Sequence, residues 1–231
     1  MASNDGLECL AGCRAIEHLG LSYTHVTDDG LTVLTRLTAL KHITLDSQLV
    51  RTGVNNHEWM QCLWQVTEHG VERLARCLPW VVSLELFGTK VTDSSCLHLR
   101  CEYCVAVITN VFADISVPRA LCQLRTLEIC SGLLSDAGVA ALHVLAPTLV
   151  RLSVAHNAKV SDKAIATING LERLQHLNLS ETGVTSAGLL LLSEALQELT
   201  CLIVHGLPVK RPTLEVLHLQ LPSLATVKGG L

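Results

Sequence analysis

From Leu127 onward an apolar anchor recurs every 25 residues, at Leu127, Leu152, Leu177, Leu202 and Val227. A period of that length confines the chain to a stacked array, because one such unit is too small to bury an apolar face of its own. The segment LQHLNLSETGVTSAGLLLL has relatives upstream in IEHLGLSYTHVTDDGLTVL, VVSLELFGTKVTDSSCLHL, LRTLEICSGLLSDAGVAAL and LVRLSVAHNAKVSDKAIATI. Leu19, Ile43 and Leu84 are the earlier anchors.

Each unit changes period internally. The L-x-L core alternates as a short strand does, with Leu177 and Leu179 inward and Asn178 outward. The following VTxxGLxxLxxL stretch spaces apolar residues as a helix does: Leu31, Leu34 and Leu37 in one unit, Val139, Leu142 and Leu145 in another. Asp28, Asp93, Asp136 and Asp162 stand just before those runs, where a carboxylate is expected to cap exposed helix N–H groups. Stacked, such units give one core between a parallel sheet and a layer of helices. With aromatics at 3% of the chain, that core is aliphatic.

These residues resemble leucine-rich repeats over nearly the entire chain, in one domain spanning 1–231. Thr24, Thr89, Asn157 and Thr182 occupy the position that family fills with Asn, Cys or Thr. VTDDGL, VTDSSCL and LSDAGV look like the longer ribonuclease-inhibitor-like and F-box-associated subtypes; LARCLPWVVSLEL, with Cys77 and Pro79, looks like the cysteine-containing one. The resemblance implies an α/β solenoid of about nine repeats of about 25 residues, with a curved parallel sheet on its concave side and helices on its convex side. It further implies a protein partner on the concave sheet and no enzymatic activity.

Three places depart from the period. Ile43 and Leu84 are 41 residues apart, which implies an insertion at about 49–65. Leu84 and Leu127 are 43 apart, room for a degenerate unit at about 100–123 with its strand near 104–110. The chain also opens on a helix half and stops directly after a strand, so a partner covering one end, or a longer protein of which this chain is part, is one expectation and self-sufficient terminal elements the other.

Alternation along the strands defines three outward columns. The first reads His18, His42, Ser83, Thr126, Arg151, His176 and Cys201; the second Gly20, Thr44, Glu85, Glu128, Ser153, Asn178 and Ile203; the third Ser22, Asp46, Phe87, Cys130, Ala155, Ser180 and His205. Adjacent parallel strands lie about 4.8 Å apart, so each column forms a ladder of side chains. Candidate partner contacts are therefore His18, His42, Glu85, Phe87, Glu128, Arg151, His176, Asn178, Ile203 and His205. The His18/His42 pair invites a metal, but ordinary polar residues on a binding face are the weightier reading, with a pH-sensitive contact between the two. Cys96, His98, Cys101 and Cys104 include one C-x-x-C, a spacing that can hold zinc. Leu97 and Leu99 are expected in the buried stripe, which turns Cys96 and His98 away and favours cysteines as small apolar residues over a metal site. No metal and no cofactor is expected.

In the insertion, Asn55 and Asn56 are good N-caps, and Trp59/Leu63 and Met60/Trp64 are spaced to form two apolar ridges on a short helix. Trp59 and Trp64 are accordingly candidate partner anchors, against the alternative that they fold back over the flank.

Several function classes lack their signatures. There is no G-x-S-x-G elbow, Walker A loop, G-x-G-x-x-G after a strand or H-E-x-x-H, and HEWMQ lacks the second histidine. A formal charge of −4 and sheet columns with Arg151 as their fixed cation disfavour nucleic acid. No apolar run is long enough to span a bilayer. MASNDGLECLAGCRAIEHLG carries acids early and no basic n-region, so it reads as neither a secretory signal nor a transit peptide. The expectation is an intracellular, cytoplasmic, non-enzymatic scaffold for protein–protein interaction, a subunit of a larger assembly. Alternatives are substrate recognition in ubiquitin ligation, regulation or inhibition of an enzyme, and a metal-dependent enzyme.

Overall fold

The computed structural model describes residues 3–46, 66–88, 91–99, 123–192 and 195–230. Among these residues eight parallel strands form one sheet in chain order: β1 (His18–Gly20), β2 (His42–Asp46), β3 (Ser83–Phe87), β4 (Thr126–Cys130), β5 (Arg151–Ser153), β6 (His176–Asn178), β7 (Cys201–Ile203) and β8 (Thr226–Lys228). The anchors pair with one another from Leu19↔Ile43 to Leu202↔Val227, so each unit adds one strand in constant phase. This is the α/β leucine-rich-repeat solenoid.

β3 and β4 are direct neighbours through five residues, Ser83↔Thr126 to Phe87↔Cys130, despite the long segment between them. The insertion at 49–65 with Trp59 and Trp64, and the strand expected near 104–110, lie outside the described residues.

Behind the sheet the helical elements are short. Only Glu68–Cys77 and Arg211–Gln220 reach ten residues among the described elements. Gly30–Arg36, which carries Leu31 and Leu34, is a 3-10 helix rather than an α-helix. Thr32 and Thr35 there donate their hydroxyls to Asp29 O at 2.7 Å and Thr32 O at 2.8 Å, i→i−3 bonds that suit the tighter turn. The inward strand positions are sealed: Ile43, Leu84, Leu127, Leu152, Leu177 and Leu202 are all buried. Full burial of each such side chain contributes about 1.5–3 kcal/mol, which makes the aliphatic ladder the main cohesive term.

A second ladder joins the units through carboxylates. Asp28 accepts the N–H of Thr67 at 2.8 Å and its hydroxyl at 2.5 Å. Asp93 does the same to Ser135, Asp136 to Ser161 and Asp162 to Thr185. Glu68 takes the place of the aspartate toward Thr92 and Ser94, and Asn4 toward Thr27. The expected role of these aspartates is thus corrected: each grips the next unit instead of capping its own helix. Capping falls to Ser or Thr, since Thr67, Ser135, Ser161 and Thr185 accept from their own first-turn N–H groups. The carboxylate is drawn across the boundary because one Ser/Thr already satisfies the local donor while the next unit presents two more.

The glycine of VTDxGL follows from the same geometry. A Cβ on Gly70, Gly138 or Gly188 would collide with the carboxylate of Asp28, Asp93 or Asp162, respectively.

Six of the strands end in a left-handed residue two positions beyond the second inward residue: Tyr23, Gly88, Ser131, His156, Glu181 and Gly206, with φ between 53° and 72°. There the N–H of the turn residue donates to the next unit, as Ser131 does to Ala155 O at 3.0 Å and Glu181 to His205 O at 2.9 Å. Asn157 is buried and spans two units, donating to Ile129 O at 2.7 Å and accepting from Leu134 N–H at 3.2 Å. Thr24 and Thr182, at the same signature position, bond only within their own units among the described contacts.

Candidate functional site: the open sheet face

Strand pairing places the expected columns side by side. His18, His42, Ser83, Thr126, Arg151, His176 and Cys201 are consecutive register partners, and Thr226 extends them. The central column runs Thr44, Glu85, Glu128, Ser153, Asn178, Ile203 and then Lys228. Lys228 escaped the sequence reading, although Val227 as the last anchor fixes its place. Strand alternation determines this face directly, since neighbouring residues point to opposite sides of the sheet.

At its first edge His18 and His42 stack face to face, ring centroids 4.0 Å apart and planes 2° from parallel. Burial holds the His42 pKa below the usual imidazole range, and His18 and Lys41 push it the same way. Two stacked imidazoles with no third ligand do not complete a coordination shell; among the described residues no group of three or more His, Cys, Asp or Glu side chains converges.

Glu85 and Glu128 face each other across β3 and β4 at the centre. Thr44 donates its hydroxyl to Glu85 at 3.1 Å. Burial raises the Glu128 carboxyl above its ordinary range and the Glu85 charge adds to this, while Arg151 acts in the opposite sense. Asn178 turns its Oδ1 to the N–H and hydroxyl of Ser180, at 3.0 and 2.6 Å. Burial likewise lowers His176, assisted by Arg151 and Lys228. The face is therefore acidic over β3 and β4 and basic from Arg151 to Lys228.

Along the third column Phe87 meets His156 edge-on, centroids 6.3 Å apart, reaching over the intervening strand. His156 was not foreseen as a face residue; its signal is its phase, two positions beyond Val154 in the left-handed turn series. Beneath this level Cys130 is buried, its Sγ 3.2 Å from Ser153 Oγ. His205 is exposed at the far end of the column and Ile203 is half-buried.

The cysteine cluster is rearranged relative to expectation. Cys96 is fully buried and Leu97 is 51% exposed, so the buried stripe holds Cys96 and Leu99. The short helix Asp93–His98 sets this phase by placing Cys96 three residues past its first residue, on the side facing the sheet. Burial pushes the Cys96 thiol up to about 12, the condition of an inert apolar side chain. His98 instead lies 4.0 Å from Glu72. Cys101 and Cys104 lie outside the described residues.

No described helix is long and apolar enough to cross a membrane. No protein-family model and no curated protein matches the chain. Solved structures do match. The crystal structure of internalin C2 from Listeria monocytogenes aligns with a TM-score of 0.58 at 18% identity, covering 98% of this chain and 75% of that one. That of an internalin (inlF) from the same species aligns with a TM-score of 0.51 at 18% identity, covering 84% of this chain and 49% of that one. At this identity the likeness concerns the fold.

Proposed function

We propose that this chain is a non-enzymatic scaffold that holds a protein partner on its open sheet face, as a subunit of a larger assembly. The carrying observation is the charge division of that face, with Glu85 and Glu128 in register on one side and Arg151 and Lys228 beyond them. Side chains anchored on a rigid parallel sheet are held in fixed relative positions, which favours recognition of a complementary surface over chemistry on a small molecule. Phe87, His156 and Ile203 add apolar area among the charges, the mixture found at protein interfaces. Trp59 and Trp64 belong to the same proposal as partner anchors.

The test is capture from the native cell with tagged wild-type chain and with two double variants, Glu85→Lys/Glu128→Lys and Arg151→Glu/Lys228→Glu. Loss of the same specific partner in either variant, with thermal unfolding unchanged, is the expected result. Retention of every captured protein by both variants would remove the sheet face as the interface.

A further inference from the structure

Three polar contacts recur between successive units among the described residues, and none of the three ties residues 207–230 to the chain before them. The first is the carboxylate grip. The residue that should reach forward from the helix after β6 is Ser186, which donates its hydroxyl to Pro208 O at 3.0 Å instead. The receiving position, a Ser or Thr in the preceding units, is Lys210, whose side chain makes no cap. Second, the N–H before the next unit's apolar entry residue donates backward at two described boundaries, from Leu133 to Val91 O at 3.0 Å and from Gly183 to Val160 O at 2.8 Å. Pro208 holds that place and has no N–H.

The third contact is the turn rung. Gly88, Ser131, His156 and Glu181 each donate an N–H to the following unit, but no such bond joins Gly206 to Gly230. Gly229 and Gly230 take φ of 92° and 98° and lead the chain out of register there. A crevice opens at this point, lined by His205, Gly206, Leu207, Pro208, Gly229 and Gly230. What remains is the Ser186–Pro208 bond, the three-residue pairing of β7 with β8 with its flanking backbone bonds from Val204 to Lys228 O and from Ala225 and Thr226 to Thr200 O, and the apolar stack.

We propose that residues 207–230 form a separable leaf that opens from the preceding chain as one body and uncovers the edge of β7. Loss of directional contacts at one boundary lowers the free energy of opening there, while the side-chain grip is kept at the boundaries before it, from Asn4 and Thr27 to Asp162 and Thr185. The uncovered β7 edge presents unpaired backbone groups, which is how strand addition by another chain begins. This inference stands apart from the sheet-face reading.

Native-state hydrogen exchange on the intact chain tests it. Peptides covering 211–228 are expected to exchange through a local opening, with little denaturant dependence, at least about tenfold faster than those covering β5 and β6. Restoring the grip with Ser186→Asp/Lys210→Thr should slow exchange in 211–228 by about tenfold or more, given what a charge-assisted bond contributes, and leave β4 and β5 unchanged. Pro208→Gly, which returns the N–H, should act in the same direction and decides the matter if the double variant fails to fold. Equal protection across 127–228 in the wild type would overturn the proposal, as would unchanged exchange of 211–228 in the restored variants.

Discussion

The carboxylate of Asp136 accepts both the backbone N–H and the hydroxyl of Ser161, at 2.6 and 2.7 Å, from one unit to the next. Apolar stacking alone lets neighbouring units slide or twist against each other. A two-point grip fixes their register, because both oxygens are satisfied only in one relative placement.

Asp136→Ala should therefore lower the unfolding free energy by about 2–4 kcal/mol, since hydrogen bonds to a charged group contribute about 1.5–3 kcal/mol each and this pair is partly exposed. Ser161→Ala should lose less, because the N–H bond to Asp136 remains. Urea unfolding of both variants checks the order.

Gly188→Ala places a methyl group into the Asp162 carboxylate and should destabilise by about 1–3 kcal/mol. The cost belongs to the pair and not to the helix, where alanine is otherwise the better residue. In an Asp162→Ala background the same substitution should become neutral or stabilising. A double-mutant cycle reads the coupling directly. Ala164, standing where other units have glycine, shows that Asp136 and its receiver tolerate a methyl group at that boundary.

The raised Glu128 gives a pH dependence of definite sign. A folded-state pKa above the unfolded value favours the fold while the group is protonated, and that contribution disappears as pH rises through the folded value. Glu128→Gln should accordingly be more stable than the wild type at about pH 7 and indistinguishable from it at about pH 3, where both carboxyls are neutral. Chemical denaturation at the two pH values measures the difference.

His42 acts oppositely. Its folded-state pKa is lowered, so its contribution is present above the unfolded value and is lost as pH falls through the folded one. Acidification from about pH 7 to about pH 5 should cost the wild type stability that His42→Asn does not lose. Partner binding that spans the His18/His42 stack should weaken over the same interval, because protonation of His42 places a charge within a stack whose ring centroids are 4.0 Å apart.

The parallel sheet, its inward leucines and its outward columns were legible because strand alternation has period two and the 25-residue repeat fixes phase. Given Leu127, Leu152, Leu177 and Leu202, the placing of Glu128, Arg151, His176 and Ile203 on one face required no further knowledge. The helical side read less well. Cys96 and Leu97 exchanged their expected places because a six-residue helix leaves phase uncertain by one residue, and one residue is a 100° rotation.

What the sequence by itself determined is the unit: its strand, its apolar anchors, its face and the recurrence of Asp and Gly after several of the turns. Only the tertiary structure decided what the Asp and Gly are for. Asp136 finds its partner 25 residues away and Gly188 makes room for Asp162, contacts that do not exist within a single unit. The histidine stack, the raised Glu128 and the weak last boundary have the same origin. Each depends on side chains that one-dimensional spacing separates and that the 4.8 Å step between strands, about one residue's width, brings into contact.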